Sequence, residues 1–169
     1  MKQSKRIAFC GMLAALGVAI MLLGGWLGVG TYVSPMLASL ILIPARTEWG
    51  TKYQLLLWAA VGLLSLFLVA DLEEGLMFLC FFGWYPALRP RLERRPRAAR
   101  WGIKLVIFNA VILPLEALLM LVLIPESMQW EIALLLLVLG NVAFVCYDVL
   151  VHRAEELYVR RLRPIWKKE

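Results

Sequence analysis

From Ile7 to Gly28 the chain carries no charged residue, and an apolar run of that length belongs in a bilayer. As a helix it rises 1.5 Å per residue, enough for the roughly 30 Å hydrocarbon core. Three further stretches are comparably apolar: Tyr53 to Ala70, Trp101 to Ile124 and Ile132 to Val151. With 62% hydrophobic residues and a mean hydropathy of +0.78 over 169 residues, the chain reads as one all-α polytopic membrane domain, 1–169.

Two uncharged stretches are shorter. Residues 32–45 ("YVSPMLASLILIPA") and 75–88 ("GLMFLCFFGWYPAL") cover only ~21 Å each as helices, so each is a half-span or a full span in a locally thinned bilayer. Charge arbitrates. With spans at 7–28, 32–45, 53–70, 75–88, 101–124 and 132–151, all 18 Lys and Arg lie in, or within a turn of, one set of segments. Those segments are the N-terminus, "ARTEWGTK", "RPRLERRPRAAR" and the tail. Asp71, Glu73, Glu74, Glu126 and Glu131 fall in the other set. The positive-inside rule then predicts six transmembrane helices with both termini cytoplasmic. The net charge of +6 is accordingly read as orientation, not as a nucleic-acid surface. The first apolar run exceeds a signal-peptide core and reads as a retained span.

Little in the chain suggests chemistry. Cys10, Cys80 and Cys146 sit in apolar segments without a C-x-x-C pair or a ligand set, so they read as small hydrophobes, with no metal and no cofactor expected. His152 stands alone at the inner end of the sixth span and reads as an interfacial side chain. No paired catalytic residues face one leaflet, and an enzyme is not expected. The six arginines of "LRPRLERRPRAARW" hold that loop inside and suit anionic lipid headgroups. In the tail, 152–169, Ala154, Leu157, Tyr158 and Leu162 continue from Leu150 at helical spacing, with Glu156 and Arg160 as an i, i+4 pair and Trp166 at the interface. That amphipathic extension either lies along the inner leaflet or docks a partner.

Polar side chains within the spans are few. Glu116 follows Pro114, whose ring removes a backbone hydrogen bond. Two readings stand for Glu116: a carboxylate in a ligand pocket, or an interhelical tie to Asn141 or a tyrosine. Asn109 and Asn141 are the other buried amides, and Asp148 is placed to pair with Lys104 or Arg153. On the outer side Trp26 and Tyr32 flank the glycine-rich "GGWLGVG", a candidate gate. With Glu73, Gln129, Trp130, Glu116 and Asn141 they outline a candidate substrate cup suited to a cationic or hydrogen-bonding small molecule.

Ala8, Gly11, Ala15 and Ala19 fall within an arc of about 80° on the first span. Small residues in such a stripe let helix backbones approach closely, so the ridge serves either the bundle itself or another helix. A basic N-terminus leading into a helix with Ala15-x-x-x-Ala19, six short spans and a glycine-rich first outer loop together resemble the substrate-binding (S) components of energy-coupling factor transporters. The resemblance implies a subunit of the bacterial cytoplasmic membrane that captures a vitamin-like micronutrient. It also implies docking, through Ala15, Ala19 and the neighbouring Gly11, to a transmembrane coupling (T) subunit carrying two cytoplasmic ATPases. The alternative is a non-catalytic scaffold of a bacterial cell-envelope complex.

Overall fold

The computed structural model describes residues 3–27, 31–69, 71–123 and 130–166. Among them the elements are helical throughout: α1 (Gln3–Leu27), α2 (Val33–Ile41), α3 (Ile43–Trp49), α4 (Thr51–Leu68), α5 (Leu72–Met77), α6 (Tyr85–Leu92), α7 (Arg97–Leu123), α8 (Trp130–Leu157) and α9 (Arg163–Trp166). One-turn π segments, Phe78–Phe82 and Tyr158–Leu162, link α5 towards α6 and α8 to α9. Four helical stretches are long and apolar enough to cross a membrane: Gln3–Trp26, Thr51–Leu68, Arg97–Leu119 and Leu137–Arg161. The last reaches ten residues beyond Val151, since the helix continues into the tail as the extension read from the sequence.

The chain divides into two compact units, Met1–Arg89 with Val151–Glu169, and Pro90–Leu150. In the first, α1 and α4 run in parallel. Phe9 meets Trp49 and Trp49 meets Tyr53, at ring separations of 5.3 and 6.0 Å, at one end. At the other end Gly24 and Gly25 adjoin Ser34, Val69 and Glu74. The α2–α3 segment therefore retraces the length of α1, and α5 to α6 runs from the Glu74 end back to Pro86, which Arg46 reaches. As helices, 33–49 and 72–92 cover roughly 25 and 30 Å. Both exceed the sequence reading because charged residues that were taken as span ends, Arg46 and Arg89, are buried.

Local chemistry explains the interruptions. Pro44 lacks an N–H and stands at the first turn of α3, so the helix restarts after Leu42. Gly50, with φ of 92°, ends α3 in a conformation that side chains disfavour, and α4 begins directly after it. Asp71 caps α5, its Oδ1 accepting from the Glu73 N–H at 3.0 Å. In the first π turn the Gly83 N–H donates to Phe78 O at 2.8 Å, one residue further back than in an α-helix. Trp58 and Trp84 indole N–H groups donate to Leu79 O (3.0 Å) and Cys80 O (2.7 Å), supplying bonds to carbonyls around that turn.

Lipid is as apolar as leucine, so close approach must hold such helices together. A Cβ on Gly24 would collide with Ser34, and one on Gly62 with Leu79. Around these crossings Leu13, Val18, Met21, Ala38, Leu42, Leu57, Val61 and Phe78 form the core. In the second unit α7 and α8 face each other through the Phe108–Phe144 stack, 4.5 Å between centroids, and through buried polar pairs.

Candidate functional site

The face that α1 presents decides what its small residues are for. Leu13, Gly17, Val18 and Met21 are buried, and α1 packs with them against α2 and α4. Ala8, Gly11, Ala15 and Ala19 are exposed, and a Cβ on Gly11 would meet no atom within 4 Å. Met12 and Leu16 beside them are exposed as well. The ridge therefore faces away from the internal seam, and packing within the bundle falls to a different set of residues. What remains is a smooth strip on which another helix can approach closely.

At the Glu74 end of the first unit a polar cluster runs from the half-buried Thr31 and Asp71 to the buried Ser34 and Glu74. Ser34 Oγ donates to Glu74 Oε1, and Thr31 Oγ1 donates to Asp71 Oδ2 at 3.0 Å. Glu74 is fully buried and its Oε2 has no hydrogen-bond partner.

The expected substrate residues divide between the two units. In the first, Trp26 is 92% exposed, Tyr32 is exposed and Glu73 is half-buried. In the second, Glu116 is half-buried on α7 and Asn141 lies on α8. The amides of Asn109 and Asn141 bond reciprocally, at 2.8 and 3.0 Å, and each also donates to the carbonyl four residues back, Leu105 O or Leu137 O. Both N–H groups of each amide are therefore used, and Asn141 is tied across the helices to Asn109. Gln129, the glycines at 28 and 30 of the candidate gate, Glu126 and the side chains of Trp130, Glu131, Leu162 and Trp166 lie outside the described residues.

Buried ion pairs form where the spans meet charge. Lys104, fully buried, lies 2.7–2.8 Å from both oxygens of Asp148 and 2.7 Å from Glu93 Oε1, with its ammonium over Trp101. Arg100 also bonds Glu93. The Asp148–Lys104 pair was one of two expected from the sequence.

The other network was not expected. Arg46 reaches Glu155 at 2.5 Å and donates to Pro86 O at 2.8 Å, while Arg89 approaches Glu155 at 4.0 Å and Arg163 pairs with Glu48 at 3.0 Å. The tail thus docks on α3 and α6 of its own chain. Its expected surface pair, Glu156 with Arg160, is present at 2.7 Å. The two adjacent acids among the tail arginines, Glu155 and Glu156, were the available signal. Of the six loop arginines, Arg91, Arg94, Arg95 and Arg97 remain exposed for lipid headgroups. Compared with protein-family models, curated proteins and solved structures, the chain matches none.

Proposed function

We propose that this protein is the non-catalytic, substrate-capturing subunit of an ATP-driven micronutrient uptake system of the energy-coupling factor type, docking a transmembrane coupling subunit through α1. The observation that carries the reading is the outward strip of Gly11, Ala15 and Ala19. Six crossings with both termini in the bacterial cytoplasm are part of the proposal. The end-to-end courses of 33–49 and 72–92 and the one-sided distribution of Lys and Arg support them. Trp26, Tyr32 and Glu73 are the proposed substrate contacts.

A scaffold role is the second reading, favoured by one observation: the Asn109–Asn141 and Ser34–Glu74 pairs engage polar groups internally. Purification from native membranes in mild detergent, followed by mass spectrometry of proteins and small molecules, separates the two. The transport reading predicts a coupling subunit, ATPases and a bound small molecule. Ala15→Leu should reduce partner recovery about tenfold, the cost of about 1.4 kcal/mol at a helix contact that depends on close approach, without altering elution of the protein itself. A partner without any small molecule would favour the scaffold.

A further inference from the structure

We propose that the groove between α1 and α4 is a binding site for one anionic phospholipid, with its phosphate on Arg6 and one acyl chain along the groove. The groove encloses ≈ 440 Å³ and is built entirely within the first unit. Because α1 and α4 run in parallel, their N-terminal ends lie side by side, and the lining is polar at that end and apolar beyond it. Gln3, Arg6 and Tyr53 form the polar end, while Cys10, Ala14 and Ala60 lie further along. That order matches a lipid inserted from the leaflet that meets the start of α1, headgroup first and chain inward.

Charge identifies the occupant. Among the described residues Arg6 has no carboxylate partner, and its Nε is buried without a hydrogen bond. Arg46 and Arg100, by contrast, are paired. A guanidinium held at the mouth of an apolar groove, with a donor left over, is matched by a phosphate oxygen, and its planar fork binds phosphate through two parallel bonds. Gln3 and Tyr53, which also line the groove, are residue types that can donate to a phosphodiester. A zwitterionic lipid brings its own cation to the same mouth and gains less. The site differs from the exposed arginines at 91, 94, 95 and 97, which offer charge with no groove.

The test compares the purified full chain in nanodiscs of phosphatidylglycerol with those of phosphatidylcholine, and counts lipids retained in native mass spectrometry. The wild-type protein should retain one phosphatidylglycerol in preference to phosphatidylcholine and unfold at a higher temperature in the anionic discs. Arg6→Gln should weaken phosphatidylglycerol retention about tenfold, the effect of one lost charge-assisted bond. Ala60→Leu should do the same by filling the groove from α4; the groove shares Gly11 with the small-residue strip, and neither Ala15 nor Ala19 is in its lining. Lys5→Gln, which removes equal charge from an exposed neighbour outside the groove lining, should leave retention unchanged. Equal unfolding temperatures of all variants in phosphatidylcholine establish that they are folded. Unchanged retention in either Arg6→Gln or Ala60→Leu, or an equal loss in Lys5→Gln, would overturn the assignment.

Discussion

Lys104→Met is expected to destabilise the Pro90–Leu150 unit by about 3 kcal/mol, because it strips the cation from a buried charge cluster. Asp148 is 3% exposed and holds Lys104 with both oxygens, and Glu93 holds it from the other side. Removing one member of a buried pair costs more than removing both, since the survivor keeps its desolvation penalty and loses its compensation. The double variant Lys104→Met with Asp148→Leu should therefore recover most of the loss. Denaturant titration in detergent, following a probe on α7, measures both. A double variant as unstable as the single one would mean that packing around Lys104, and not its charge, sets the effect.

Glu155→Leu is expected to release the C-terminal segment from α3 and α6. Arg46 is 9% exposed, and its guanidinium would be left with only the Pro86 carbonyl in place of a carboxylate. About 3 kcal/mol is at stake, equivalent to about a hundredfold rise in the opened population. Limited trypsin cleavage at Arg160 and Arg161 reads that population directly, as long as opening and closing outpace cleavage. Glu155→Gln keeps a hydrogen-bonding carbonyl and should fall between. Glu156→Leu breaks an exposed i, i+4 pair and should change the cleavage rate little, since such pairs contribute about 0.3–0.5 kcal/mol. Equal cleavage of Glu155→Leu and wild-type protein would show that the tail is held by its apolar face alone.

Helix periodicity and length carry most of what could be read in advance. The apolar runs at Ile7 and Tyr53 became α1 and α4 because nothing in them interrupts a helix, and Pro44 and Gly50 mark breaks by their backbone chemistry alone. The arc of small residues was equally legible, but not its direction. Periodicity shows that Gly11, Ala15 and Ala19 share a face; only the burial of Leu13, Val18 and Met21 on the other side shows which face turns outward. The ends of α3 and α6 were not legible for a related reason. A charge normally ends a span, yet Arg46 extends inward because Glu155, over a hundred residues later, meets it. Pairings of that kind depend on tertiary placement and leave no local pattern. The same holds for Asn109, whose partner Asn141 lies on the next helix.

The α1 strip is the centre of the account, and a photo-crosslinking amino acid placed at Ala15 or Ala19 in native membranes tests it most directly. The same probe at Leu64, exposed on α4, serves as the comparison. The account predicts a discrete protein adduct from Ala15 and Ala19, identified by mass spectrometry as a helical membrane subunit, and only lipid adducts from Leu64. Lipid adducts alone at Ala15 and Ala19, matching those at Leu64, would contradict it.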